Sequence, residues 1–139
     1  MYHYKDSKFH RLIADWLMQG GDTTSDTGTG GLSIYGHRFD DEGIWYPHAS
    51  KGVLTTAGTG PNTNGSQFLL CLCATPNFNE RHTVFGRVIS GWEIIEKAEK
   101  VEVDEDDVPS KPVKIVDCGE LTGDWKLKED AAEFLANYV

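Results

Sequence analysis

Gly60-Pro-Asn-Thr-Asn-Gly-Ser-Gln-Phe68 decides how the rest of the chain is read. Turn formers crowd residues 60–66, and the sequence then switches to Gln67-Phe-Leu-Leu-Cys-Leu-Cys73, a strand-like apolar run. A turn this rigid delivers the polar Gln67 to the rim of something buried. Residues 67–74 are apolar at both alternations, which predicts a strand buried on both faces with a helix covering one of them. Upstream, Lys8-Phe-His-Arg-Leu-Ile13 and Leu17-Met-Gln-Gly-Gly-Asp22 carry an Arg and a second Gln into two apolar strands around Ala14-Asp15. A bulge or bend at Ala14-Asp15 would put Arg11, Leu17 and Gln19 on one face.

Further out, Val53–Ala57, Val84–Ile89 and Val113–Cys118 read as strands. Residues 20–36 form a Gly-rich loop, and a phosphate cradle is excluded there because no Gly-Lys-Ser/Thr follows and no helical pattern opens. Ser90-Gly-Trp-Glu93 reads as a capping box, with Trp92, Ile95, Ala98 and Val101 following at helical spacing. Several short strands and few helices predict an all-β barrel or sandwich.

At 139 residues, with 39% hydrophobic and 11% aromatic content, the chain is expected to be one globular domain with a substantial core. Its net charge of −9 opposes a phosphate backbone and argues against nucleic-acid binding. No apolar run reaches membrane-spanning length, so no membrane association is expected. Met1-Tyr-His-Tyr-Lys5 lacks the apolar core of a signal peptide, so the expected location is the cytoplasm, with the nucleus as the alternative. Glu102 and Asp104–Asp107 lack calcium-loop spacing and read as a solvated loop. Cys71, Cys73 and Cys118 read as free buried thiols, and the His spacing suits no zinc site. Asn64-Gly-Ser66 has the form of a glycosylation sequon but reads as turn chemistry.

With these pieces in this order, the chain resembles the cyclophilins, a family of peptidyl-prolyl isomerases. Gly30-Gly-Leu-Ser-Ile-Tyr-Gly36, Arg81-His-Thr-Val-Phe-Gly86 and Val116-Asp-Cys-Gly-Glu-Leu121 extend the match over residues 4–121. The resemblance implies an all-β, cyclophilin-like antiparallel barrel in residues 1–121. It also implies cofactor-free, metal-free cis–trans isomerisation of Xaa-Pro bonds in proline-containing peptides and proteins. Arg11 matches the family's catalytic Arg, and Gln19 the Gln that contacts substrate backbone. Trp16, Leu17, Leu69, Phe78 and His82 match the proline pocket, while Ala57, Gly58 and Gln67 match the groove for the flanking peptide. The alternative is a proline-peptide binding module of the same fold with little turnover.

Several positions depart from the family pattern. Trp16 stands for the usual Phe, Leu69 for the Phe that floors the pocket, and Gly58 for an Asn. Asn77 occupies the place of a Trp prominent in binding cyclosporin, which implies weak binding of that inhibitor. Relative to the family, two strands and a helix ahead of Tyr4 are missing from this sequence, so the barrel is expected to be open there. Residues 122–139 carry Trp125, Ala131, Phe134, Leu135 and Tyr138 at helical spacing, a tail expected to be helical. This tail is expected to cover the opening, or two chains to cover each other's openings; the alternative is a frayed surface helix, with the domain marginal or associated through the open edge.

Overall fold

The computed structural model describes residues 3–43 and 46–121. The expected helical tail at 122–139 lies outside the described residues.

The first hairpin joins β1 (Phe9–Ile13) to β2 (Leu17–Gly20). Asp15 turns the chain at φ +60°, a conformation that short Asx side chains tolerate, and Trp16 N–H donates to Ile13 O at 3.1 Å. The irregularity expected at Ala14-Asp15 is instead at His10. Phe9 faces Gly20 and Arg11 faces Gln19, so β1 spends one extra residue there. The outcome for side-chain direction is the expected one. Arg11 lies opposite Gln19 and Ile13 opposite Leu17, while Leu12 and Met18 point to the other side.

β3 (Val53–Thr56), β4 (Phe68–Cys71) and β5 (Val84–Arg87) complete a five-stranded antiparallel sheet in the order β1-β2-β4-β3-β5. The sheet is open, with β1 and β5 at its edges. β4 is interior and is buried on both faces, as its composition predicts. Leu70 and Leu72 join Leu12, Met18 and Ala98 on one side. Leu69 and Cys71 join Leu17, Val53 and Phe78 on the other. Each Leu so buried is worth about 1.5–3 kcal/mol relative to an exposed one.

Helix α1 (Trp92–Glu99) covers the first face through Ala98 and Ile95. Its start differs from the capping box expected at Ser90. Gly91 is the N-cap, at φ +83°, and no side chain caps the helix. Glu93 therefore stands one position too early to reach back, and the first turn closes on Gly91 O. Trp92 lies over Gly52, where a Cβ would meet its ring at 2.3 Å. A glycine is required at that crossing.

Residues 113–118, expected to be a regular strand, form only an isolated bridge between Lys114 and Lys8. Phe9 N–H donates to Val113 O and Ile115 N–H to Ser7 O. Leu12 N–H donates to Asp107 O, so residues 107–115 run along the outer edge of β1 and satisfy part of it. Pro109 and Pro112 break the run of donors that a longer ladder needs. Cys71, Cys73 and Cys118 are all free, but only Cys71 is buried. Among the described residues no helix is long and apolar enough to cross a membrane.

Candidate functional site

The turn at residues 60–66 is rigid for reasons visible atom by atom. Asn62 sits at φ +57° and is clasped to Asp41 by two reciprocal bonds, Asp41 N–H to Asn62 Oδ1 at 2.9 Å and Asn62 N–H to Asp41 Oδ2 at 3.0 Å. Asn64 is 2% exposed and donates to Asp41 Oδ1, which ends its candidacy as a glycan acceptor in the folded chain. Gly65 lies so close to Gly31 that a Cβ would stand 2.6 Å from its carbonyl oxygen. Ser66 Oγ donates to Gly21 O at 2.6 Å. The turn and the Gly-rich loop are thus laced together, and Gln67 emerges where they meet.

Gln67 is held at both ends of its amide. Its Nε2 donates to Gly28 O and Gly30 O at 2.9 and 2.8 Å, and its Oε1 accepts from Gln19 Nε2 at 2.9 Å. Gln19 in turn faces Arg11 on β1 and Leu69 on β4. These cross-strand neighbours form a polar row, Arg11, Gln19 and Gln67, at the rim of an apolar cluster. Leu17, Leu69 and Phe78 are buried in that cluster, with Trp16 and Ala57 packed against it. Phe78 comes from a short 3₁₀ turn (Pro76–Phe78), and its ring lies 6.0 Å from Trp16 and 5.0 Å from His82, centroid to centroid. Burial pushes the His82 imidazole below its ordinary pKa, so the pocket wall is neutral at pH 7. Ala57 N–H donates to Gln67 O, which sets Gly58 beside the same rim. Of the residues singled out from the sequence, Trp16, Leu17, Ala57, Leu69 and Phe78 thus share one apolar cluster, with His82 against Phe78. Arg11, Gln19 and Gln67 lie along its rim, and only Ala57 and Gln67 also line a cavity.

Next to Gln67 and Ala57 opens a cavity of about 360 Å³ whose wall includes Arg38, His37 and Thr63. A wider, mostly apolar cleft of about 710 Å³ lies against Tyr4, Phe68 and Phe85. Phe85 is 56% exposed and Ile34 92%, unusual for side chains of their size.

Two contributors escaped the sequence reading. Asp22, only 1% exposed, accepts from five backbone N–H groups (Thr24, Ser25, Thr27, Gly28, Gly30) and from the hydroxyls of Thr24 and Ser25. Burial alone would raise its pKa, but these donors overwhelm that effect and hold the carboxyl well below the usual carboxylate range. The carboxylate thereby winds the Gly-rich loop and aims the carbonyls on which Gln67 rests. The signal was present: an Asp opening a run of Ser, Thr and Gly is an Asx-turn former. The second is His48, 1% exposed, with Nδ1 at 2.9 Å from Asn79 Oδ1 and Nε2 at 2.9 Å from Thr55 Oγ1. It ties the turn carrying Phe78 to β3, and no local sequence pattern marks it.

Comparison with known proteins agrees with this geometry. Residues 1–120 match the family model for the cyclophilin type peptidyl-prolyl cis-trans isomerase/CLD. The peptidyl-prolyl cis-trans isomerase D of Mycosarcoma maydis is 48% identical over 121 residues, 87% of this chain. The chain spans 30% of the length of that relative. A crystal structure of a Cryptosporidium parvum cyclophilin type peptidyl-prolyl cis-trans isomerase superposes with a TM-score of 0.78 at 39% identity, covering 82% of this chain and 72% of that one. Its structure in the presence of the dipeptide Ala-Pro gives 0.77 at 38% identity, covering 82% and 73%. The chain belongs to the cyclophilin-type peptidyl-prolyl cis-trans isomerase family.

Proposed function

We propose that the chain catalyses cis–trans isomerisation of Xaa-Pro bonds in exposed segments of other proteins, without metal or cofactor. The observation that carries this reading is the Arg11–Gln19–Gln67 row standing beside the Leu17, Leu69 and Phe78 pocket. Rotation about an Xaa-Pro amide meets a barrier of about 18–20 kcal/mol from the partial double bond. No covalent bond has to be made or broken. The pyrrolidine ring sits among Leu17, Leu69 and Phe78, walled by Trp16 and His82. Arg11 turns its guanidinium to the prolyl nitrogen and draws the lone pair out of conjugation, with a charge that persists at any working pH. Gln19 holds the substrate backbone, and Ala57, Gly58 and Gln67 line the path of the flanking residues. The isomerase unit is residues 1–121, with 122–139 as a separate tail. Magnetisation-exchange NMR on an Ala-Pro peptide tests the reading, and an exchange rate no faster than the uncatalysed one would overturn it.

One observation favours the second reading, a binding module with little turnover. Leu69, buried in the cluster, supplies an aliphatic floor where an aromatic ring would grip the proline. Peptide affinity without accelerated exchange is the result that reading requires.

Two partners follow. Cyclosporin binds, but weakly, because Asn77 is an exposed polar residue at the groove edge and Leu69 reshapes the floor. One lost aromatic contact is worth about 1.5–3 kcal/mol, a Kd raised about tenfold or more. Calorimetry beside a Trp-bearing cyclophilin checks this, and equal affinities would refute it. The second partner is another copy of the chain, associating through the open side of the sheet. The outer edge of β5 and the cleft at Phe85 and Tyr35 support it. Sedimentation should show weight-average mass rising with concentration, and Phe85→Lys should abolish the rise. The free thiols suit a reducing compartment, and we assign the activity to the cytoplasm.

A further inference from the structure

The acidic run after α1 contains a residue that reaches the sheet. Asp107 stands at φ +62°, a left-handed conformation that glycine, Asn and Asp adopt more readily than other residues. A tight turn holds it there. Asp107 N–H donates to Asp104 O, Asp104 N–H donates to Val108 O, and Asp104 Oδ1 accepts from the N–H groups of Asp106 and Val108. The turn is then docked on the sheet, with Leu12 N–H donating to Asp107 O at 2.9 Å. Its product is a single side-chain contact, Arg11 Nε donating to Asp107 Oδ2 at 3.1 Å.

Stability does not account for this arrangement. The two side chains are 43% and 35% exposed, and ion pairs so open to water contribute little. What the contact fixes is direction. Nε is the inner nitrogen of the guanidinium, so a bond to it, together with the Cδ–Nε bond, sets the plane of the whole group. Among the described residues the two outer nitrogens have no hydrogen-bond partner, and they remain available to a peptide.

We propose that Asp107 is a positioning residue for Arg11, orienting the guanidinium toward the amide that rotates while leaving its outer nitrogens for the substrate. This rests on the isomerase reading above. Asp107 touches no substrate and acts only through Arg11.

Asp107→Gly is the informative variant, because glycine adopts the positive φ freely and the turn persists without the carboxylate. Asp107→Asn is its conservative counterpart, keeping an acceptor oxygen and tolerating the same backbone. kcat and KM would be measured by exchange NMR, alongside melting temperature and the ¹⁵N-edited signal of the Arg11 Nε–H. Expected for Asp107→Gly is a kcat lowered about tenfold with KM within a factor of two, unchanged melting, and an Nε–H signal broadened by solvent exchange. Asp107→Asn should restore most of the kcat and the signal. An Asp107→Gly kcat equal to wild type would overturn the proposal, as would a raised one, which would make Asp107 a restraint on Arg11. If Asp107→Gly melts lower, the comparison of Asp107→Asn with wild type decides alone, a tenfold loss despite a retained Nε–H signal counting against the proposal. Should wild type show no turnover, the proposed function is what fails. Asp107 is then judged on the Nε–H signal and on Ala-Pro peptide affinity, and an Asp107→Gly variant unchanged in both would refute its role.

Discussion

Arg11→Ala should leave a folded protein with about 10²–10³ less kcat/KM on an Xaa-Pro peptide. Arg11 is half-exposed on an edge strand, and its one side-chain bond is an open ion pair, so its removal opens no cavity and strands no buried charge. The loss should therefore appear in kcat while melting shifts little. Arg11→Lys should recover only a part, because a point charge without the planar fork does not keep both the Asp107 contact and a free outer edge. Exchange NMR with circular dichroism melting separates the two effects. Wild-type turnover in folded Arg11→Ala would remove Arg11 from the chemistry.

The largest effect on stability is expected at Asp22. Asp22→Ala removes the acceptor for five N–H groups and two hydroxyls at once. Water can reach some of these donors, because Thr24 and Ser25 are exposed, so the cost is about 2–4 kcal/mol rather than the sum of seven bonds. Urea unfolding measures it. The pH dependence has a definite sign. The folded carboxyl lies far below its unfolded pKa, so it contributes stability that is fully present above about pH 4 and lost as pH falls below that. Asp22→Asn should flatten this acid limb while lowering the neutral plateau. An acid limb unchanged in Asp22→Asn would mean that other carboxylates dominate it. The same substitution should also weaken turnover, because the Gly28 and Gly30 carbonyls that anchor Gln67 are positioned by that carboxylate.

The directions of Arg11, Leu17 and Gln19 were legible because they lie in strands, where the period of two fixes direction, whereas Trp16, Ala57, Gly58, Leu69, Phe78 and His82 were assigned only through the resemblance to the family. Those three needed only a strand pattern and a hairpin to share a face. The bulge was misplaced because alternation reports that a residue has been inserted, not where. His10 and Asp15 satisfy the parity equally well on paper. Val113–Cys118 looked like a strand from its β-branched residues, but its pairing with the segment ahead of β1 stops at the single bridge between Lys114 and Lys8. Ser90 failed as a cap by one residue, and boundaries of that size are set by packing, here Trp92 over Gly52. Asp22 was passed over although its signal is local, since all its partners lie within eight residues. Asp107 was passed over because its partner Arg11 comes close only after the chain has folded, and charge in a loop is ordinarily solvent's business.

The bond between Gln19 and Gln67 joins residues 48 positions apart, and Arg11 meets Asp107 across 96. The β1–β2 hairpin needs only its own turn. Ring closure over such spans is entropically slow, so the hairpin can form early while the polar row waits for nearly the whole chain. The proposed site is in this sense a late property of the molecule. On the proposed function, the chain would meet any slow prolyl steps of its own folding before it has a site with which to hasten them.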